Sequence, residues 1–266
     1  MRDNPVTWRT WLVVCITVLA IVAALLVPAM PQPVAYHDFA DHREALGVHN
    51  FLDVASNVAF LVVGIAGLIV TLGRHAYFQF SIERWPYAIF FAGVLLTAAG
   101  SSYYHLTPDN ETLFWDRLPM TIAFMALVCS QIVDRISLRA GLYLVLPMLL
   151  LGAASVMYWR ATERAGMGNV MPYGILQGYS ILILLLMAAV TPSRYTRGNY
   201  VYWVFGLYAL SKVLETFDAQ VLGIGHVVSG HTLKHLVAAL AGVAVCLMLT
   251  RRTLVAPGPQ RVAQPR

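Results

Sequence analysis

The stretch "SGHTLKHLVAALAGVAVCLMLT", residues 229–250, joins a polar segment containing two histidines to an apolar run long enough to lie inside a bilayer. A membrane-spanning helix takes about 20 predominantly apolar residues. His231 and His235 are four residues apart, and on a helix that spacing places both side chains on one face. Because polar groups are costly inside a membrane and are usually kept for a purpose, this pair is a candidate functional site.

Apolar runs of similar length recur along the whole chain. The 266 residues are 59% hydrophobic and only 12% charged, and no polar break is long enough for a separate soluble domain. The sequence therefore predicts an all-α fold, a polytopic membrane helical bundle. The predicted spans are 11–30, 51–73, 86–105, 117–136, 141–160, 170–191, 200–217 and 231–250.

The first span is predicted to be an extra N-terminal transmembrane helix beside a core of seven. It is longer than the apolar part of a signal peptide, so we expect it to be retained. The predicted organisation has three parts. Residues 1–35 hold the first helix and its cytoplasmic start, 36–250 form the seven-helix core, and the proline-rich, polar segment 251–266 is a disordered cytoplasmic tail.

Most of the basic residues fall on one predicted side of the membrane. By the positive-inside rule their positions place both termini in the cytoplasm, and we expect a bacterial inner membrane. Since this alternation accounts for the net charge of +5, no nucleic-acid partner is expected. Twelve of the 18 basic residues precede the first span, fill every second loop or follow the last span: Arg2, Arg9, Arg74, Arg84, Arg135, Arg139, Arg194, Arg197, Arg251, Arg252, Arg261 and Arg266.

This topology brings polar residues from three distant segments to one depth. The third span runs outward and ends with Ser101 and His105, which share a helical face. The fourth span starts at that same outer surface, with Asp116 at its mouth. The last span runs inward, so His231 and His235 also begin at the outer side. The sequence therefore predicts that these five side chains meet toward the outer face.

Three histidines and a carboxylate at one depth favour a metal site. A histidine pair spaced by four residues can offer two imidazoles to one ion, and His105 would complete a three-histidine set with one position left for water, as in catalytic zinc sites. Asp116 could then carry the proton of that water. A lone histidine at a helix end is more often interfacial, and a serine such as Ser101 often only packs helices. His226 lies in a predicted loop and ranks below the other three.

Other polar residues in the spans have simpler interpretations. Lys212 and Glu215 are three residues apart, which favours an ion pair that lowers the cost of burial. Lys234 either reaches the interface or pairs with a carboxylate. Ser56 and its neighbours Asp53 and Asn57 enter the second span from the outer side, where they either support the site or pack that helix.

The set Ser101-xxx-His105, Asp116 and His231-xxx-His235 resembles the alkaline ceramidases, a branch of the CREST superfamily of membrane hydrolases. The stretch "NFLDVASNVAFLVVGI", residues 50–65, also resembles the first core helix of that family. The resemblance covers roughly residues 36–250. It implies an intramembrane zinc amidase in which the three histidines bind Zn2+, Asp116 handles the proton of the water, and Ser101 helps to stabilise the oxyanion.

The resemblance also raises the question of Ca2+, because eukaryotic alkaline ceramidases carry an acidic calcium-binding cluster before the first core helix. Here Asp38 and Asp41 are present, but Asn50 stands where a further carboxylate is expected and Arg43 lies among them. Calcium prefers six to eight oxygen ligands, so fewer acids predict weaker binding. The sequence leaves calcium binding open.

The function expected from the sequence is zinc-dependent hydrolysis of the amide bond of a ceramide-like N-acyl lipid, which yields a fatty acid and an amino alcohol. The partner would be a membrane lipid that serves as the substrate. The alternative is a metal-binding seven-helix membrane receptor, or a transporter-like protein, without hydrolysis. Transporters tend to place ionisable groups near the midplane in repeated halves, a pattern that this chain does not show.

Overall fold

The computed structural model of the chain describes residues 7–255. Within this range the fold is all-α, and β-pairing is limited to isolated bridges between Ala45 and Val48 and between Tyr195 and Leu254. The prediction of an all-α polytopic bundle is confirmed. The helices are α1 (Trp8–Leu26), α2 (Phe51–Ser56), α3 (Val58–Leu72), α4 (Arg84–Leu106), α5 (Asn110–Arg135), α6 (Leu138–Arg164), α7 (Met171–Val190), α8 (Tyr200–Thr216), α9 (Asp218–Gly225) and α10 (Gly230–Arg251).

Seven helical segments of the described residues are long and apolar enough to cross a membrane. They are Trp8–Leu26, Phe51–Leu72, Ser81–Leu106, Asn110–Arg135, Leu138–Arg164, Met171–Val190 and Gly230–Arg251. The remaining predicted span, 200–217, corresponds to α8, whose 17 residues lie at the lower limit for a crossing of about 17 to 25. Helix α8 packs along α10 within the bundle.

Helix α5 is the centre of the bundle and α1 lies at its edge. Two thirds of the apolar window of α5 is buried, whereas only 6% of that of α1 is buried. Helix α5 packs against α4, α6 and α7. Helix α1 contacts mainly α7, where the hydroxyls of Thr17 and Tyr179 lie 2.9 Å apart. The difference in burial between α5 and α1 agrees with a core of helices to which α1 is added at the periphery.

Glycines allow α4 and α5 to approach closely. A Cβ atom added at Gly100 would lie 2.0 Å from the carbonyl oxygen of Trp115, and one at Gly93 would lie 2.7 Å from the backbone nitrogen of Ala123. No side chain fits at such distances, so the two backbones are in direct contact. This contact fixes the residues that follow Gly100 and Trp115, which are Ser101 and Asp116.

The prediction of a disordered tail over residues 251–266 is wrong for residues 251–255. Helix α10 continues to Arg251, and the side chain of Arg252 is buried against Asp134 at 2.8 Å. The backbone nitrogen of Thr253 donates to the hydroxyl of Thr196 at 3.0 Å. An arginine that pairs with a buried carboxylate ties the chain down, which composition alone does not reveal. Residues 256–266, like residues 1–6, lie outside the described range.

Candidate metal centre

The three predicted histidines meet at one end of the bundle, which we call the histidine end. His105 lies in the last turn of α4, and His231 and His235 lie in the first turns of α10. All three are buried, and one ring nitrogen from each lies within 4.8 Å of the others. The Nε2 atoms of His105 and His231 are 3.3 Å apart. These residues form a group that could hold a metal ion.

One of the nitrogen–nitrogen spacings can be compared with the geometry of a zinc site. Zinc binds histidine nitrogen at about 2.0–2.1 Å in tetrahedral geometry, so two ligand nitrogens should be about 3.3–3.4 Å apart. The observed separation of the two Nε2 atoms, 3.3 Å, agrees with this value. Three imidazoles leave the fourth tetrahedral position for water or substrate, which is the arrangement of catalytic rather than structural zinc sites.

Ser56 on α2 contacts the ring of His235. The Ser56 hydroxyl oxygen lies 2.9 Å from the carbonyl oxygen of Asp53, to which it can donate its one hydrogen. The Nδ1 atom of His235 lies 2.7 Å from the same hydroxyl oxygen, which can accept the Nδ1 hydrogen while its own goes to Asp53. The Nε2 atom then keeps its lone pair for a metal, as in the outer hydrogen bonds that orient metal-binding histidines. The predicted supporting role of Ser56 therefore has a structural basis.

The start of α10 is held by two carboxylates. Asp53 accepts hydrogen bonds from Thr232 Oγ1 at 2.5 Å and from Ser229 Oγ at 3.3 Å, and Asp218 Oδ1 accepts one from the backbone nitrogen of His231 at 2.7 Å. Ser229 also caps the helix by accepting from the nitrogen of Thr232 at 3.0 Å. Carboxylates at a helix N-terminus stabilise its unpaired N–H groups. This network sets the position of His231 and His235.

The segment between α1 and α2 folds over the histidines. The ring of Phe39 packs on His105 and His231, with centroids 4.6 Å and 4.5 Å away. The backbone nitrogen of Ala40 donates to Asp218 Oδ2 at 2.9 Å, and Asn50 Nδ2 donates to the carbonyl oxygen of His105 at 3.0 Å. This cover shields the group from bulk water on that side.

Asp116 and Ser101 line an elongated cavity together with His235. Both side chains are buried, and the Ser101 hydroxyl lies within hydrogen-bonding reach of the Asp116 carboxylate. The cavity holds about 220 Å³ and runs between α4, α5, α7, α8 and α10. On α4 it extends from Ser101 to Phe90, eleven residues or about 16 Å along the helix. The inner part is apolar, with Val94, Phe124, Leu127, Ile181, Leu184 and Val204 among its lining residues.

The structure therefore brings all five predicted site residues to the histidine end. The ring of Phe39 covers His105 and His231. His235 lines the cavity together with Ser101 and Asp116. His226, the lower-ranked candidate, ends α9 with a positive φ of 53° and is outside the histidine group. Its carbonyl oxygen accepts a hydrogen bond from Arg43 at 3.3 Å.

The charged residues near the cavity mouth form the predicted ion pairs. Lys212 pairs with Glu215, as the spacing of three residues predicts. Lys234 pairs with the same carboxylate at 2.7 Å, so it has a carboxylate partner rather than a free position at the interface. The side chains of Lys212, Glu215 and Lys234 all line the cavity, so these charged groups lie beside the site as well as at the protein surface.

The acids before α2 do not fit a calcium ion. Arg43 Nε donates to Asp41 Oδ1 at 2.7 Å and Arg43 Nη2 donates to Asp41 Oδ2 at 2.6 Å, so a guanidinium occupies both oxygens. These hydrogen bonds lower the pKa of Asp41. Asp38 is exposed and lies 3.5 Å from His42. Among the described residues, the one group arranged to hold a metal is the three histidines.

No protein-family model and no curated protein matches the chain. The structure itself defines the class: a polytopic membrane helical protein with a buried group of three histidines that could hold a metal ion.

Proposed function

We propose that the protein is a zinc-dependent intramembrane hydrolase that cleaves the amide bond of a ceramide-like N-acyl lipid. The observation that carries this proposal is the cavity, in which Asp116 and Ser101 lie beside His235 at the polar end of an apolar channel. A carboxylate and a hydroxyl beside the histidines, at the end of an apolar channel, favour chemistry over metal sensing alone. The resemblance of the motif set to the alkaline ceramidases supports the amide as the bond cleaved.

The division of chemical roles follows from the side chains. His105, His231 and His235 would hold a zinc ion, which would supply a Lewis acid and would lower the pKa of a bound water to about 7. Asp116 accepts a proton from the attacking water and later delivers it to the leaving nitrogen as the C–N bond breaks. Ser101 donates a hydrogen bond to the carbonyl oxygen as negative charge develops there. The products are a fatty acid and an amino alcohol.

The apolar part of the cavity holds the acyl chain. Each CH₂ group moved from water into an apolar environment contributes about 0.8 kcal/mol. A substrate that already lies in the bilayer gains less, because its chain is never in water. The main contribution of the channel is therefore orientation, since it directs the amide carbon toward Asp116 and Ser101.

The membrane orientation is part of the proposal. The basic residues of the predicted cytoplasmic loops, such as Arg135 and Arg194, lie at the end of the bundle opposite the histidines, which supports a histidine end at the outer face. There the amide of a lipid in the outer leaflet would lie at the depth of Asp116. A bacterial inner membrane is the proposed location.

The direct test is lipid turnover by purified protein loaded with zinc. N-acyl lipids in mixed micelles are incubated with the native protein and with Asp116→Asn, and released fatty acid is measured by mass spectrometry. We expect the variant to keep its fold and zinc content and to lose about 10²- to 10⁴-fold in rate, the usual contribution of a general acid–base group. A zinc-loaded native protein that hydrolyses no amide would overturn the proposal and favour a metal-binding receptor.

A further inference from the structure

Arg117, next to Asp116 on α5, is a buried cation without a carboxylate partner among the described residues. It is 5% exposed and lines the cavity. Its Nη2 donates to the neutral amide oxygen of Gln32 at 2.7 Å, and its Nη1 has no hydrogen-bond partner in the described part of the chain. A buried charged group with an unsatisfied N–H is costly unless something compensates for it.

Aromatic rings hold the Arg117 guanidinium in place. Its central carbon lies 4.4 Å from the ring centre of Trp159, 4.8 Å from that of Tyr173 and 5.4 Å from that of Tyr36. Such contacts stabilise a cation but do not neutralise its charge. Tyr36 and Tyr173 also line the cavity, so the guanidinium is fixed at its wall.

The charges that line the cavity are unbalanced toward positive. Three cations, Arg117, Lys212 and Lys234, face two carboxylates, Asp116 and Glu215. Glu215 is shared by both lysines. A divalent metal at the histidines would add further positive charge. The polar end of the cavity is therefore suited to a negatively charged group.

From this arrangement we infer that the substrate headgroup carries an anion, a carboxylate or a phosphate, which Arg117 binds while Lys212 and Lys234 add to the attraction. The inference rests on the proposed function and specifies its substrate class. A guanidinium carries N–H donors that match a carboxylate or phosphate, and Arg117 lines the cavity wall. An anion of the headgroup belongs to the amine half of the amide. The amine released is then an amino acid or a phosphorylated amino alcohol.

The test compares lipids that share one acyl chain and differ in headgroup charge. N-oleoylglycine carries a carboxylate, N-oleoylphosphoethanolamine a phosphate, and N-oleoylethanolamine no charge. Binding is measured in the Asp116→Asn background, where turnover does not interfere, and hydrolysis is measured with the native protein. We expect at least one anionic lipid to bind about 10- to 100-fold more tightly than the neutral one, the range for a hydrogen bond to a charged group. The anionic lipid that binds more tightly shows whether the site prefers a carboxylate or a phosphate.

Two variants assign the preference to these cations. Arg117→Gln should weaken binding of the anionic lipid more than binding of the neutral lipid and so lose most of the preference. The matched Arg160→Gln, at an arginine paired with exposed Glu111 outside the cavity, should keep the preference. Lys212 is 45% exposed, so Lys212→Gln tests the charge without a folding risk and should reduce the preference by a smaller factor. A structural role for Arg117 would weaken all lipids equally.

Failure of this inference is distinguishable from failure of the proposed function. Hydrolysis of all three lipids without an anion preference would overturn the role of Arg117 and leave the hydrolase proposal intact. A preference in binding that Arg117→Gln removes, without turnover of any lipid by zinc-loaded protein, would support the anion site and overturn the hydrolase. A preference that survives both Arg117→Gln and Lys212→Gln would contradict the inference, because Arg117 would then not bind the anion.

Discussion

The two ends of the bundle bury polar groups in opposite ways. At the end opposite the histidines, which we call the arginine end, Arg252 contacts Asp134 at 2.8 Å, and Arg194 contacts Glu83 at 3.3 Å. At the histidine end three buried imidazoles converge, and Asp116 and Ser101 line the cavity beside His235. Opposite charges in contact lower the cost of burial, whereas like groups in contact raise it. The first arrangement stabilises a fold, and the second is typical of a site that binds a ligand or performs chemistry.

The arginine end has the features of a structural network. The Asp134 Oδ2 atom accepts from Tyr87 at 2.7 Å as well as from Arg252, and the Arg252 guanidinium lies 4.1 Å from the ring centre of Tyr195. Tyr195 in turn donates to Glu83. These contacts join α4 and α5 to the residues that follow α7 and α10. The arginine end therefore ties distant parts of the chain together.

The largest expected effect is a loss of stability when the buried ion pair at the arginine end is removed. Asp134→Leu leaves Arg252 buried without its carboxylate, and removing one partner of a buried pair costs about 3–5 kcal/mol. We expect a large fall in the melting temperature of detergent-purified protein, with zinc content per folded chain unchanged. Glu111→Gln, which removes an exposed partner of Arg160 and Arg164, should change the melting temperature far less.

The prediction has a second control in the double variant Asp134→Leu, Arg252→Leu. Removing both charges avoids the unpaired guanidinium, so this protein should be more stable than Asp134→Leu alone. Equal melting temperatures for the native protein and Asp134→Leu would show that the arginine end does not stabilise the fold.

The second prediction compares the two ends of the bundle by substituting a glycine at a close helix contact in each. Gly100→Ala places a Cβ 2.0 Å from the carbonyl oxygen of Trp115 beside the site, and Gly141→Ala places one 2.7 Å from the nitrogen of Val133 near the arginine end. Both should cost about 1–3 kcal/mol through forced separation of the helices. Only Gly100→Ala should also reduce lipid turnover, because it moves Ser101 away from Asp116. Equal loss of turnover in both variants would contradict a site localised at the histidine end.

A third prediction concerns the hydrogen bond between Ser56 and His235. Ser56→Ala removes the hydrogen-bond partner of the His235 Nδ1 atom, and loss of such an outer partner lowers metal affinity about 10- to 100-fold. Ser130→Ala is the matched control, since Ser130 is also buried and bonds to the carbonyl oxygen of Leu127 at 2.8 Å, away from the histidines. Competition with a zinc chelator measures both affinities. An unchanged affinity in Ser56→Ala would refute the assigned tautomer.

The smallest expected effect is a pH dependence from Asp41 and Arg43. Arg43 lowers the pKa of Asp41 below its ordinary value of 3.8, so this pair stabilises the folded state above that value and loses its effect as the pH falls through the lowered pKa. Arg43→Gln should therefore lower the melting temperature slightly at pH 6, and the difference should vanish as the pH falls through the lowered pKa of Asp41. A difference that grows in acid would contradict the sign of this coupling.

Seven of the eight predicted spans and the meeting of the three histidines could be predicted because their signals are local. Hydropathy marks a helix within one window, and a spacing of four residues places Ser101 with His105 and His231 with His235 on shared faces. The charge pattern of the loops then aligns these helices in depth. Each step uses residues that are close in the sequence.

Other features depend on contacts between distant segments and gave no such signal. Phe39 covers the histidines because the segment before α2 folds back, and Asp218 joins that segment to α10 through Ala40 and His231. The second span breaks at Asn57 into α2 and α3, although its hydropathy is continuous. Arg117 reads as an interfacial arginine in the sequence, and only the packing around it reveals the unpaired Nη1.

The central claim is that His105, His231 and His235 hold a metal, and the most direct measurement is the zinc content of detergent-purified protein by mass spectrometry. The native chain is compared with a His105→Ala, His231→Ala double variant and with a His42→Ala, His49→Ala control at two exposed histidines of the same end. We predict about one zinc per chain in the native protein and the control, and none in the site variant. Native protein without zinc after zinc is supplied, or a site variant that retains it, would contradict the account.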